Sequence, residues 1–224
     1  FWIKISFIMK PASAIWFMQC QNPSCRLRFP LDLAEFKGAY CPRCGGDLLP
    51  AFPALPQSHP MANPLTNTNN LNGILDNIRS AQNVGALFRT ADGAGLQKLW
   101  LCGITPNPAD NAQIAKTALG AEQTVPWEHA PSTVALVEKL KTQGVIILGL
   151  ETAPGSTSLF SYTLPKSDKT IALVVGSEPA GIDPAVLPLA DATLNLPMAG
   201  SKGSLNVAVA FGIAVYFLRF GIWT

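Results

Sequence analysis

Three stretches of the chain combine glycines with polar side chains that can hold or activate a ligand. The first runs from Asn83 to Arg89, the second covers residues 175–182 (VGSEPAGI), and the third covers residues 193–206 (TLNLPMAGSKGSLN). Glycines let a backbone approach a ligand closely, and a Ser or Asn at the start of a helix can bind its free N–H groups. Each stretch by itself is a ligand-binding turn of a kind that many α/β proteins share.

The elements that position these stretches alternate between strand and helix from Leu71 onwards. This alternation predicts an α/β domain with a mostly parallel sheet covered by helices on both faces. A fourth candidate loop, Leu150–Thr152, also follows a predicted strand, and ligands bind at the carboxyl ends of such strands. None of the loops has the glycine pattern of a dinucleotide or nucleoside triphosphate site. The predicted strands are 73–78, 99–102, 145–150, 170–175 and 193–196, and the predicted helices begin near Asn83 and cover 111–119, 133–141, 184–189 and the apolar carboxyl-terminal segment.

The order and content of the three stretches resemble the three motifs of the SpoU (TrmH-like) RNA 2′-O-ribose methyltransferases of the SPOUT superfamily. The resemblance extends roughly from Leu71 to Phe220. It implies a parallel-sheet SPOUT domain whose carboxyl-terminal part threads through a loop to form a trefoil knot, with S-adenosyl-L-methionine bound in the knot. Knots are rare exceptions to the rules of chain topology, so no periodicity predicts one. Members of the family are dimers, which makes the long apolar last helix the expected homodimer interface.

Carried over residue by residue, the resemblance gives a set of expected cofactor-binding residues. Backbone groups in glycine-rich turns can bind the edges of adenine and ribose, and Leu196 and Met198 offer apolar walls. The expected cofactor-binding residues are Leu150, Glu151, Gly176, Leu196, Met198, Ser204, Leu205 and Asn206.

The resemblance implies methyl transfer to a ribose 2′-hydroxyl in transfer or ribosomal RNA. A hydroxyl is a poor nucleophile while protonated, so it needs alignment with the methyl group and help in losing its proton. The family assigns this activation to an arginine that matches Arg89. Because a free Arg is effectively always charged, Arg89 either shares the proton with a neighbouring phosphate or only orients phosphate and hydroxyl. Asn83, Glu178, Ser204 and Asn206 match the other expected catalytic positions.

Other roles and functions compete with these assignments. The Asn and Ser residues can be helix caps rather than catalytic groups, and Glu178 can be a solvated carboxylate in a turn. Lys116 and Glu122 lie in a segment that loosely resembles one near the RNA in the family. Three alternative functions stay open: a non-catalytic RNA-binding SPOUT module, a SPOUT methyltransferase acting on a guanine ring nitrogen, and a generic α/β enzyme with a structural zinc.

Four of the five cysteines lie near the amino terminus, as Cys20-x4-Cys25 and, fifteen residues later, Cys41-x2-Cys44. Pairs at this spacing predict a small zinc-ribbon-like region in which the four thiolates hold the metal tetrahedrally, and the glycines after Cys44 fit the turn of a zinc knuckle. Two disulfides are the alternative, which is disfavoured since nothing in the sequence indicates secretion. Cys102 lies in an apolar run and is expected in the core.

Composition divides the chain into four parts. Residues 1–18 are an uncertain leader that need not be native, 19–49 are the zinc-ribbon-like region, 50–70 are a linker with five prolines and four asparagines, and 71–224 are the methyltransferase domain. Residues 1–60 carry a net charge of +3 and the remainder −1, a mild indication of RNA contact near the amino terminus. The first apolar run is too short for a signal peptide or a membrane span, so a cytoplasmic protein without a membrane partner is expected.

Overall fold

The chain divides into two compact units, Phe1–Asn63 and Pro64–Thr224. The division falls inside the segment that the sequence predicts as a linker. Most of this segment and most of the predicted leader lie outside the described residues. Each unit has a hydrophobic core of its own. The computed structural model describes residues 15–36, 38–55, 70–164 and 168–221.

The first unit is built on three antiparallel strands, β1 (Ile15–Cys20), β2 (Arg28–Asp32) and β3 (Leu48–Pro53), in the order β2-β1-β3. Side chains alternate between its two faces. One face contributes to a small core that includes two of the four clustered cysteines, while the other face is turned to solvent. The sheet extends beyond the predicted limits 19–49 at both ends, because β1 and β3 continue to pair past the cysteines.

The second unit is built on a sheet of seven strands: β4 (Leu71–Asp76), β5 (Lys98–Cys102), β6 (Trp127–Ala130), β7 (Ile146–Leu150), β8 (Thr157–Ser158), β9 (Ile171–Gly176) and β10 (Ala192–Asn195). Their order is β6-β5-β4-β9-β7-β10-β8, and every pairing is parallel. The predicted α/β fold with a parallel sheet is confirmed. The sequence does not predict β6 or β8, because strands of four and two residues are too short to show a pattern. The trefoil knot stays a prediction.

The described part of the second unit contains five α-helices: α1 (Ala81–Ala94), α2 (Ala115–Ala118), α3 (Ala121–Thr124), α4 (Thr133–Thr142) and α5 (Val207–Phe220). Helices α1 and α5 share one core with one face of the sheet, and α4 packs on the other face. The predicted helix 111–119 is wrong in extent, because Leu119 and Gly120 adopt left-handed conformations that end α2 after one turn. The predicted helix 184–189 is reduced to a 3-10 turn at Leu187–Leu189.

Helix α1 carries the first of the polar stretches. Ser80 caps its start by accepting a hydrogen bond from the backbone N of Asn83 at 3.2 Å, and Gly95 ends it with a φ of 65°. Ser80 rather than Asn83 is therefore the cap, and the Asn83 side chain is left for other contacts. The structure buries all four residues of the predicted apolar face of α1, which are Val84, Leu87, Phe88 and Ala91.

Helix α5 is buried on one side and exposed on the other. Near its end the buried Arg219 donates hydrogen bonds to Ala94 O, at 3.0 Å, and to Gly95 O, where the dipole of α1 favours positive charge. The exposed side carries an apolar row that we call the α5 stripe, which consists of Val209, Ile213, Tyr216 and Phe220.

No helix in the described part of the chain is long and apolar enough to cross a membrane.

We expect Gly85→Ala to destabilise the second unit, although alanine is the better helix former. A Cβ at Gly85 would lie 2.1 Å from Thr117 Oγ1 and 2.3 Å from Ile114 O, so α1 would have to move away from α2. Urea unfolding should show a loss of about 1–3 kcal/mol. Gly212→Ala in α5 is the control: its Cβ would lie 3.6 Å from Thr90 Cγ2, an ordinary contact, and stability should rise by up to ~1 kcal/mol. Equal stability of the two variants would contradict this packing.

Candidate functional site

A cavity of about 590 Å³ opens at the carboxyl ends of β7, β9 and β10. The loops that follow these three strands are three of the four candidate loops from the sequence, and the structure brings them together. The walls combine glycine-rich backbone, a few apolar side chains and two carboxylates. All eight residues expected to bind a cofactor line the cavity, although their role stays a prediction: Leu150, Glu151, Gly176, Leu196, Met198, Ser204, Leu205 and Asn206.

Two glycines let the loop after β9 fold back on itself at the cavity wall. Ser177 and Gly181 exchange two backbone hydrogen bonds, of 3.0 and 2.8 Å, which close the turn between them. Gly181 has a φ of 72°, which favours glycine. A Cβ at Gly176 would lie only 2.0 Å from the carbonyl carbon of Gly181. The close turn, and with it this wall of the cavity, therefore requires glycine at both positions.

Glu151 joins the loop after β7 to the loop after β9. One carboxylate oxygen accepts a hydrogen bond from Thr152 N at 2.9 Å, and the other accepts one from Ile182 N at 3.0 Å. Such bonds to an ionised acceptor are stronger than bonds between neutral groups. Glu151 thus fixes the distance between two walls while its side chain also lines the cavity.

A chain of side-chain hydrogen bonds links all three motif stretches. Asn83 Nδ2 donates to a carboxylate oxygen of Glu178, and Asn206 Nδ2 donates to Asn83 Oδ1 at 3.1 Å. Asn206 Oδ1 accepts from Ala208 N at 2.9 Å and so caps α5. Glu178 is exposed but also accepts this hydrogen bond, and its catalytic role stays a prediction. The capping alternative is correct for Asn206, which also has a second contact.

Ser204 and several apolar side chains complete the lining of the cavity. Asn206 is the cap of α5, so the capping alternative is wrong for Ser204. Within the described residues the Ser204 hydroxyl has no hydrogen-bond partner, which leaves it available to a ligand. Met198 and Leu205 are 37% and 39% exposed, so each presents apolar surface that a ligand can cover.

Asp76 stabilises the segments around the cavity through hydrogen bonds, and it was not among the residues predicted from the sequence. The side chain is 1% exposed and accepts hydrogen bonds from Thr133 Oγ1 at 2.5 Å, Asp183 N at 2.7 Å and Asn77 Nδ2 at 2.8 Å. A buried carboxylate needs such donors to offset its lost hydration. Asp76 thereby ties the segment after Gly181 to the end of β4. An Asp that ends an apolar strand is the signal that could have identified it.

Arg89 does not line this cavity within one chain. It lies exposed on α1 and borders a second depression, of about 580 Å³, together with Lys116 and Tyr216. Within the described residues neither Arg89 nor Lys116 forms an ion pair with a carboxylate. Glu122 is engaged elsewhere, since it accepts a backbone hydrogen bond of 3.1 Å in its own turn. A single chain thus brings together four of the five expected catalytic residues and leaves Arg89 apart.

The four cysteines of the first unit form a cluster whose sulfurs all lie within 4.8 Å of one another. Cys20 Sγ lies 3.5 Å from Cys44 Sγ, and Cys25 Sγ lies 3.8 Å from Cys41 Sγ. These separations exclude disulfide bonds, which measure about 2.05 Å. They suit a sulfur tetrahedron with Zn–S bonds of about 2.3 Å, whose edges are about 3.8 Å. The cluster can hold zinc, and the two-disulfide alternative is wrong.

Backbone amides within the second cysteine pair lower the pKa of one thiol of the cluster. Burial raises the pKa of the Cys41 thiol, but the backbone amides of Arg43 and Cys44 and the sulfurs of Cys20 and Cys25 lower it to about 7. The thiolate is the form that binds metal. Amides directed at a sulfur are what the sequence predicts for a zinc knuckle, so the donor set fits this metal.

Comparison with known proteins identifies the family. Residues 70–216 match the SpoU rRNA Methylase family, and the chain belongs to this family. It is 36% identical over 148 residues to the 23S rRNA (guanosine(2553)-2′-O)-methyltransferase RlmP of Bacillus subtilis, which covers 65% of this chain and 56% of that protein. It is 34% identical over 145 residues to the 23S rRNA (guanosine-2′-O-)-methyltransferase RlmB of Pseudomonas aeruginosa, covering 63% and 55%. The chain spans just over half the length of these relatives.

Solved structures agree with this assignment. An AdoMet-bound rRNA methyltransferase from Sinorhizobium meliloti superposes with a TM-score of 0.63 at 28% identity, covering 69% of this chain and 57% of that one. The TrmH/SpoU tRNA modifying enzyme of A. aeolicus superposes with a TM-score of 0.61 at 26% identity, covering 70% and 77%. The family resemblance and the parallel-sheet α/β fold that it implied are therefore confirmed, whereas the trefoil knot stays a prediction.

We expect Cys25→Ser to lose the metal and unfold the first unit. A serine hydroxyl is a poor zinc ligand, and a region this small depends on its metal for stability. Elemental analysis of the wild-type chain should find one zinc per chain, and the variant should have well below half of that. Cys102→Ala is the control, because Cys102 is buried in the core of the second unit and is not one of the four clustered cysteines. Unchanged zinc content in the Cys25 variant would contradict a zinc site with four cysteine ligands.

Proposed function

We propose that the chain transfers a methyl group from S-adenosyl-L-methionine to a ribose 2′-hydroxyl of RNA. One observation carries the proposal: Asn83 joins Glu178 to Asn206, so that the three motif stretches meet at one cavity. The relatives named above are guanosine 2′-O-methyltransferases of 23S rRNA, and one structural neighbour has AdoMet bound. Ribosomal RNA is therefore the first substrate to test, and transfer RNA is the second.

The cavity fits the proposed cofactor. Its volume of about 590 Å³ lies within the range of small-molecule sites, roughly 300–1,000 Å³. Gly176 and Gly181 line the cavity with backbone alone, which lets a ligand approach closely, while Leu196, Met198 and Leu205 offer apolar surface. The carboxylate of Glu178 adds negative charge near a ligand whose sulfonium is positive. When bound, the cofactor would supply an activated methyl group.

The protein's part in the reaction is to place the hydroxyl and to accommodate its proton. The bound cofactor would supply a methyl group to the 2′-oxygen, with its thioether as the leaving group, while the hydroxyl proton would pass to a neighbouring phosphate. Arg89 and Lys116 suit a phosphodiester, because two cations without a carboxylate partner among the described residues border one depression. Arg89 would hold the phosphate next to the reacting ribose, so that the phosphate can share the proton.

The proposal includes a homodimer formed through the α5 stripe. Four apolar side chains at helical spacing on one exposed face are typical of an interface. Val207 and Ala210, near one end of the helix, line the cavity, whereas Tyr216, near the other end, borders the depression of Arg89. Val207 and Tyr216 are separated by about 14 Å along the helix.

A two-fold axis would bring the separated catalytic groups together. In a two-fold interface the same patch meets itself, so antiparallel α5 helices place the Tyr216 end of one chain over the Val209 end of its partner. Arg89 of one chain would then lie beside the cavity of the other. This arrangement explains why a single chain holds Arg89 away from the other four catalytic residues.

We expect Arg89→Ala to abolish RNA methylation without weakening cofactor binding. Arg89 lies outside the cavity, so calorimetry should give the same Kd for S-adenosyl-L-methionine as in the wild-type chain. Transfer of labelled methyl groups to ribosomal RNA should fall at least about 100-fold. Lys139→Ala, an exposed cation on α4, is the control and should leave both measurements unchanged. A fully active Arg89 variant would remove Arg89 from the mechanism.

Mixing two inactive variants tests the shared site. Arg89→Ala and Asn206→Ala chains each lack one part of every site, but a mixed dimer would contain one complete site. After unfolding and refolding together, about a quarter of wild-type activity should return, since half of the dimers are mixed and each has one of two sites intact. No recovery despite mixed dimers, identified by differently tagged chains, would show that each site is built from one chain.

The competing function is methylation of a guanine ring nitrogen. Resistance of the modified position to alkaline cleavage separates the two outcomes, because cleavage requires a free 2′-hydroxyl. We expect the labelled nucleotide to resist alkali and to remain in a dinucleotide after complete hydrolysis. Label recovered in a mononucleotide would favour the base methyltransferase.

A further inference from the structure

The outer face of the sheet in the first unit carries a row of apolar side chains that belong to no core among the described residues. Phe17 lies at its centre, with Pro30 on β2 and Phe52 on β3 as its two cross-strand partners. Phe17 is 38% exposed and Phe52 is 65% exposed, whereas Met18, on the opposite face, is 6% exposed. The row is not part of the core around the cysteine cluster, so the stability of the first unit does not explain it.

A positive charge lies over this row. The guanidinium of Arg28 reaches across β1 to 5.7 Å from the ring centroid of Phe52, within the range of a cation–π contact. In the described part of the chain no carboxylate forms an ion pair with Arg28, nor with Arg26 or Arg43, the other described arginines of this unit. The face therefore combines aromatic rings with a cation that has no counter-ion among the described residues.

We infer that this face binds a single-stranded segment of the substrate RNA. Unpaired bases stack on Phe17 and Phe52, and Arg28 binds the phosphate between them. The inference rests on the proposed function only in taking RNA as the partner. Stacking on aromatic rings along a positively charged surface is how proteins hold single strands without reading their sequence. An apolar face alone would suit a protein partner equally well. The guanidinium of Arg28 within cation–π distance of the Phe52 ring favours an anionic ligand that also has aromatic bases.

The test is binding of a short fluorescein-labelled oligouridine to the full-length, zinc-loaded chain, followed by fluorescence anisotropy. Phe52→Ala should raise the Kd about tenfold, and the Phe17→Ala, Phe52→Ala double variant about 100-fold. Arg28→Gln should reduce the slope of log K against log salt concentration by about one. A duplex of equal length should bind more weakly than the single strand and should not respond to the two phenylalanine substitutions.

Phe36→Ala is the matched control. Phe36 is the same residue type in the same unit and is 42% exposed, but it lies beyond the end of β2 rather than on the sheet face. Its substitution should change the Kd by less than about twofold. All variants must keep their zinc, which shows that the first unit is still folded. An equal loss of affinity in Phe36→Ala would overturn the inference.

Two further outcomes would overturn it. If the wild-type chain does not bind oligouridine, the face does not bind single-stranded RNA. If the double variant instead dissociates a dimer in sedimentation velocity, the face is an interface between copies of the chain. Failure of this inference is distinguishable from failure of the proposed function. A chain that methylates RNA but binds oligouridine independently of Phe17 and Phe52 contradicts only the inference. A chain that binds oligouridine through them but neither binds S-adenosyl-L-methionine nor methylates RNA contradicts only the proposed function.

Discussion

The carboxamide of Asn83 joins three segments that are remote in sequence. Its amide nitrogen donates to Glu178, and its oxygen accepts from Asn206, which caps α5 with its own oxygen. Only a side chain with a donor and an acceptor on one planar group can do both. An Asp would lack the donor and would face a second carboxylate. The position of α5 at the cavity, and hence the shape of the site, depends on this amide and on the glycine turn beside it.

Much of the fold and of the cavity lining could be predicted from the sequence because it depends on local sequence patterns. The alternation of apolar strands with helices predicts the parallel sheet, and parallel strands place their following loops at one edge. The glycines at 176 and 181 and the caps near Asn206 are local signals of the same kind, since each reports the backbone conformation at its own position. The cysteine spacing likewise predicted a cluster that the folded first unit assembles. The eight cavity residues came from family motifs, and all of them line one cavity.

What could not be predicted depends on contacts between remote segments. The position of Asp76 at the end of an apolar strand is a local signal, but its hydrogen bonds with Thr133 and Asp183 join remote segments, and no spacing in the sequence reveals them. The distance of Arg89 from the cavity follows from the direction in which one face of α1 points, and the residue that completes the site belongs, in our proposal, to a second chain. A helix that is apolar all round predicts burial but does not say which part a neighbouring molecule covers. Short strands such as β6 form because their neighbours are in place.

In the proposed mechanism the cavity at the ends of β7, β9 and β10 holds S-adenosyl-L-methionine for transfer to RNA. The decisive experiment is a crystal structure of the chain with this cofactor. Density for the cofactor should lie against the Gly176 turn, with Leu196, Met198 and Leu205 around it and Arg89 of the second chain at its open side. A cavity that stays empty at saturating cofactor, or a cofactor bound elsewhere on the chain, would contradict this mechanism.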